Sequence, residues 1–199
     1  LFPHDCIRTA KNGDADMADL QFEALPNYME NDQRIMVLCD TSGSMQSPIA
    51  GSIHAIDVSM SLALYCSDRL GKDNPFYRKF LGFESETHFK DWTGMSFSEA
   101  IGNHNVFDGA CGGTNIGKAL DYILGHAKVR RVKQIQMPTA LLIISDMQFH
   151  PGGWGSGSEV SRHLDAWEQA GYERPVVIYW NISPYSGSPE RSTQKDMAL

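Results

Sequence analysis

Several things are scarce or missing in this sequence, and each absence removes a class of function. No apolar run is long enough to span a bilayer, and no charged-then-apolar leader of the signal type is present, so a membrane protein is not expected. Four cysteines (Cys6, Cys39, Cys66, Cys111) show no C-x-x-C spacing. Cys39 and Cys66 sit inside apolar runs, where a free cysteine acts as a small hydrophobe. A disulfide framework is therefore not expected, and a reducing, cytoplasmic setting is the default. Positive charge is also short: 17 Lys and Arg against 24 Asp and Glu leave a net charge of −7. That argues against a broad nucleic-acid surface, which rests on many cation–phosphate contacts. A short basic stretch, Lys128–Lys133, reads either as a local patch or as a solvated helix end. Neither G-x-S-x-G nor H-E-x-x-H occurs, and the seven histidines are scattered.

What is present is an ordinary globular composition, 42% hydrophobic and 21% charged over 199 residues, enough for one domain with a full core. Residues 1–34 read as a polar, irregular lead-in, and 35–199 as the domain. A chain opening on Leu1 rather than Met reads as a fragment or processed product. Three short apolar runs, Ile35–Cys39, Thr139–Ser145 and Val176–Ile182, have the character of strands buried on both faces. Helical spacing is expected from Pro48 to about Leu70, from Asn115 to Ala127, and from Ser158 to Ala170. Tyr77–Phe83 and Thr87–Trp92 read as a hairpin. Ser96 with Glu99 three residues on is a capping-box pattern opening a short helix. Buried strands alternating with helices predict an α/β fold: a doubly wound, mostly parallel central sheet flanked by helices.

Asp40-Thr41-Ser42-Gly43-Ser44 directly follows the first strand and offers a carboxylate and two hydroxyls from one turn. Taken alone it is either a turn or cap, or part of a site for a hard cation, which prefers oxygen ligands. Two further oxygen donors have matching settings: Thr114 after Gly112-Gly113, at the start of a helix, and Asp146 directly after the Thr139–Ser145 run. In a parallel sheet the ligand crevice lies outside the carboxyl ends of the strands, which puts all three segments at one edge. The set Asp40, Ser42, Ser44, Thr114 and Asp146 therefore predicts a Mg²⁺ (or Mn²⁺) site. With few direct carboxylates, such an ion keeps an open position for an anionic oxygen.

These motifs, in this order, resemble the metal-ion-dependent adhesion site of von Willebrand factor A domains, over roughly residues 33–182. The resemblance implies that Ser42, Ser44 and Thr114 touch the ion, that Asp40 and Asp146 act through water, and that the fold is doubly wound. Ile143–Phe149, Val177–Asn181 and the closing Thr193–Leu199 are similar, more narrowly, to the C-terminal domain of Ro-like (TROVE-type) proteins. They are closer still to uncharacterised viral and plant relatives of these. Ro-like proteins carry a preceding helical region that mainly holds RNA, which this chain lacks, and continue with a further strand and helix after the position of Leu199. The domain is accordingly expected to lack its last strand and helix here.

One near-match carries less. Gly112–Ala119 is one residue from a phosphate-binding G-x-x-x-x-G-K-[ST] loop, but Ala119 stands where the Mg²⁺-binding hydroxyl belongs. His150 and Trp154 lie in a glycine-rich loop after Asp146. Trp154 reads either as an aromatic anchor for a partner or as a lid over the sheet edge. Gln46, Gly113, Asn115, His150 and Trp154 are the candidate partner-binding residues around the metal. The expected function is a metal-dependent interaction module, not an enzyme, whose protein partner supplies an exposed Asp or Glu. Two alternatives stand beside it. One is a component of a Ro-like RNA–protein particle, with RNA bound through a larger native protein. The other is a Mg²⁺-dependent phosphoryl-transfer or hydrolytic enzyme, for which no nucleophile or poised base is evident.

Overall fold

A computed structural model describes residues 1–29, 32–82, 87–107, 116–145, 157–182 and 197–198. Two helices come first, α1 (Pro3–Lys11) and α2 (Ala15–Glu23). Strand β1 (Ile35–Cys39) leads through a 3₁₀ turn, Gly43–Gln46, into a small hairpin, β2 (Pro48–Ala50) and β3 (Ile53–His54). Then follow α3 (Ala55–Asp68), β4 (Lys79–Gly82), β5 (Phe89–Asp91), α4 (Phe97–Gly102) and α5 (Ile116–Arg130). Strand β6 (Ala140–Ser145), α6 (Gly157–Gln169), β7 (Val176–Asn181) and β8 (Met197–Ala198) complete the order.

The main sheet has six strands in the order β5-β4-β1-β6-β7-β8. All pairings are parallel except β4 with β5, the expected hairpin. Side chains alternate between two cores, as period-two geometry requires. Val37, Cys39, Leu142 and Ile144 face a core shared with residues of α1 to α4. Met36, Leu38, Leu141 and Ile143 face one shared with α5 and α6. This is the predicted doubly wound α/β architecture, of the von Willebrand A or Rossmann-like kind. No helix among the described residues is long and apolar enough to cross a membrane.

Two expectations change. The 1–34 segment is not irregular: Cys6, Ile7, Ala18 and Phe22 of its helices, and Leu25 just after them, are buried in the first core. Phe22 stacks on Phe97 at 4.2 Å and meets Trp92 edge-on at 6.2 Å. The helix expected from Pro48 begins only at Ala55. Gly51, at φ +56°, closes the β2–β3 hairpin in the left-handed region where glycine is the least strained residue. Ile49, Ile53 and Ile56 share a helical spacing but belong to two strands and a helix. The Ser96 cap is as read: its hydroxyl accepts from Glu99 N at 3.3 Å, and Glu99 Oε2 accepts from Ser96 N at 2.8 Å.

Candidate metal centre

In the sheet order, the chain moves from β1 out to β4 and β5 on one side, then crosses to β6 and beyond on the other. The order thus reverses beside β1. Open α/β sheets bind ligands at such a switch point, beyond the strands' carboxyl ends. Asp40 leaves β1 at that end, and Ser145 closes neighbouring β6 at the same end. Helix α5 precedes β6, which lies parallel to β1, so α5 runs back against the strands and starts on this edge.

Asp40 is buried, at 4% exposure. Its backbone N–H still belongs to the ladder, donating to Ile144 O at 3.1 Å. The side chain turns into the loop, where Oδ1 accepts from the Ser42 backbone N–H at 2.9 Å. Oδ2 accepts from the Ser145 hydroxyl at 2.6 Å, a link across 105 positions. A buried carboxylate is tolerable only when hydrogen-bonded, and this one holds the shape of the turn while it is satisfied. Two accepted bonds leave lone pairs free, since a carboxylate offers about four acceptor positions.

The serines come next. Ser42 is extended (φ −58°, ψ 160°) and precedes the 3₁₀ turn. Met45 N donates to Ser42 O at 3.0 Å and Ser47 N to Ser44 O at 3.1 Å. Met45 is fully buried in the first core and pins the turn from below. The Ser42 and Ser44 hydroxyl oxygens are thereby brought to 3.1 Å from each other, both half-buried. Gln46 is exposed on the last residue of the same turn. Ala55 N donates to Ser47 O at 3.2 Å, so the start of α3 is tied to the turn's exit.

These groups fit a hard divalent cation. Oxygens bound to Mg²⁺ at about 2.1 Å, at right angles in an octahedron, stand about 3.0 Å apart. The two hydroxyls, hydrogen-bonded to each other at 3.1 Å, are close to that separation. The donors are neutral, with the charge placed behind them on Asp40. Among the described residues no group of three or more His, Cys, Asp or Glu gathers, so a nitrogen- or sulfur-rich metal site is not found there.

Of the residues singled out in the sequence, Asp40, Ser42, Ser44 and Gln46 come together on one turn. Thr114, Asp146, Gly113, Asn115, His150 and Trp154 lie outside the described residues. Asp146 is the residue after Ser145, and Thr114 is two residues before α5. Ser145 precedes Asp146 in the sequence motif but has no role of its own there; the structure gives it one, as a donor to Asp40. Its signal was a single hydroxyl residue ending an otherwise apolar strand.

A family model described as "Domain of unknown function (DUF7788)" matches residues 34–199. The uncharacterized protein L728 of Acanthamoeba polyphaga mimivirus is 26% identical over 138 residues, covering 67% of this chain and 23% of the viral protein. Among solved structures, the Deinococcus radiodurans RO (RSR) protein superposes with a TM-score of 0.62 at 17% identity, covering 92% of this chain and 34% of that one. The likeness is one of fold, and it agrees with the Ro-like resemblance at that level. The chain spans about a quarter of the viral protein's length and a third of the bacterial one's.

Proposed function

The chain belongs to the DUF7788 family, and we propose that within it this domain is a metal-dependent interaction module whose cation recruits an acidic group of a protein partner. Ser42, Ser44 and Thr114 would contact a Mg²⁺ or Mn²⁺ ion, with Asp40 and Asp146 behind them through water. When bound, the ion supplies an electrophilic position for an anionic oxygen. The chain's own residues do the rest: Asp40 and Met45 fix the turn, and the turn carries the half-buried hydroxyl pair. Gln46, Gly113, Asn115, His150 and Trp154 would border the position the partner takes. The observation that supports this most directly is the 3.1 Å hydroxyl pair on a turn held by a buried carboxylate at the sheet's switch point. The assignment is to recognition, not turnover.

Calorimetric titration with Mg²⁺ and Mn²⁺ tests it. Wild type is expected to bind, and Ser44→Ala and Thr114→Ala to lose binding with unchanged circular dichroism. Equal affinity in all three would overturn it.

A second reading, membership of a Ro-like RNA–protein particle, is supported by the fold shared with the Deinococcus Ro protein. Nucleic acid co-purifying with the longer native protein, released by salt, would favour it.

A further inference from the structure

We propose that Ser145 is a positioning residue of the metal centre: its hydroxyl holds the Asp40 carboxylate in the orientation from which it serves the cation. This rests on the metal reading above, but concerns a residue outside the five expected to form the site.

The case begins with a misfit. The other residues of β6, Ala140 to Ile144, are all apolar, and the whole strand is buried. A hydroxyl at 0% exposure at its end loses water and must be repaid by a hydrogen bond. It donates to Asp40 Oδ2 at 2.6 Å, an ordinary length for a hydroxyl–carboxylate bond. The geometry is imposed from both sides of the strand. Asp40 N donates to Ile144 O at 3.1 Å, locking β1 to β6 one residue before Ser145. On the far side Ile182 N donates to Ser145 O at 3.1 Å, and Ser145 pairs in register with Asn181. With both backbones fixed, the two side chains meet without a flexible element between them.

Asp40 is thus held by two donors with different tasks. The Ser42 N–H on Oδ1 shapes the turn that presents the hydroxyl pair. Ser145 on Oδ2 restrains the carboxylate's rotation, and with it the direction of the remaining lone pairs. Hydrogen-bond partners of metal-serving carboxylates typically change affinity about 10–100-fold when removed. An alanine at position 145 would fit the apolar strand at least as well as serine, so the hydroxyl is better explained by Asp40 than by packing.

The test is Mn²⁺ binding, by calorimetry and by the spin resonance of the free ion, on the whole chain. Ser145→Ala is expected to weaken binding about 10–100-fold, and Ser145→Thr, which restores a hydroxyl, to recover it. Ser59→Ala is the matched control. Ser59 is equally buried, and its hydroxyl lies 3.1 Å from Cys39 Sγ on the residue before Asp40, without touching the carboxylate. It is expected to keep wild-type affinity. Binding by Ser145→Ala within twofold of wild type would overturn the proposal and leave the metal reading standing. So would an equal loss in Ser59→Ala, which would mark the effect as general loosening. Failure of wild type to bind Mn²⁺ would instead overturn the metal reading itself.

Discussion

Lys11, at the end of the first helix, forms an ion pair with Asp57, in the first turn of α3, across 46 positions. Asp57 is 5% exposed, and its other oxygen accepts from the His54 backbone N–H at 3.3 Å. The N-terminal segment thus supplies a counter-charge for a buried carboxylate in the helix that follows the Asp40–Gln46 turn. Lys11→Met removes the lysine from that carboxylate, leaving the His54 ring 3.4 Å from its other oxygen, and should destabilise the fold by about 1–3 kcal/mol. Urea melts of the two proteins measure it, and coincident melts would contradict it.

A larger loss is expected if the chain is cut at residue 34, where the family match begins. Phe22 would leave the aromatic group with Trp92 and Phe97. Tyr65 Oη would lose its acceptor, Pro26 O, at 2.7 Å, and Ser98 would lose Asp19, which takes its backbone N–H and its hydroxyl. The cut protein should therefore bind hydrophobic dye and melt without cooperativity. A sharp melting transition in the cut chain would show that residues 1–33 are dispensable.

These contacts also show where the sequence was readable. β1 and β6 were legible because a strand buried on both faces is a continuous apolar run; β7 has the same kind of run, but it is buried on one face only, through Val177 and Tyr179, while Val176 and Trp180 are exposed. α1 and α2 were not legible. Each is only nine residues, and their buried stripes are short: Cys6 and Ile7 in one, Ala18 and Phe22 in the other. Their stability comes from tertiary packing, which has no local signature. The β2–β3 hairpin was masked by isoleucines that happened to fall at helical intervals. At the site, Asp40, Ser42 and Ser44 were legible because they are contiguous. Ser145 was not, because its role exists only once β6 lies beside β1.

Helix α6 should depend on one side chain. Trp167 is fully buried, and its indole N–H donates to Leu120 O of α5 at 3.2 Å. Trp167→Ala removes this buried ring and its hydrogen bond to α5, and should cost about 3–5 kcal/mol. Chemical denaturation checks the magnitude, and a loss under 1 kcal/mol would show that α6 packs by other means.

Alkaline pH should weaken the fold. Burial pushes the Cys39 thiol from 9.0 up to about 12; the Ser59 hydroxyl opposes this and the Asp40 charge adds to it. Burial raises Cys66 from 9.0 to about 12 as well. Between these values the unfolded chain sheds thiol protons that the native state keeps. Stability is therefore complete below about pH 9 and falls as pH rises, by up to about 1.4 kcal/mol per unit for each thiol. Thermal melts from pH 8 to 11 should show the fall, and Cys66→Ala should flatten it. At pH 8, iodoacetamide should modify neither cysteine until the protein is unfolded. Rapid labelling of native Cys39 or Cys66 would contradict their burial.

The proposed cation predicts how a partner should behave. A ligand that binds only the native state stabilises it by about 2.7 kcal/mol at 100 times its dissociation constant. Mg²⁺ or Mn²⁺ should accordingly raise the melting temperature of wild type but not of a Ser42→Ala, Ser44→Ala double variant. A partner that completes the metal shell through a carboxylate should be retained on the immobilised chain in Mg²⁺, released by EDTA, and not retained by Thr114→Ala. Replacing the responsible Asp or Glu of that partner, once identified by mass spectrometry, with Asn or Gln should abolish capture even in Mg²⁺. The amide keeps the shape but removes the charge that the ion attracts. Capture that survives both EDTA and this substitution would show that the partner does not bind through a metal. RNA released by salt and indifferent to EDTA would point instead to the particle reading, since phosphate contacts weaken with ionic strength.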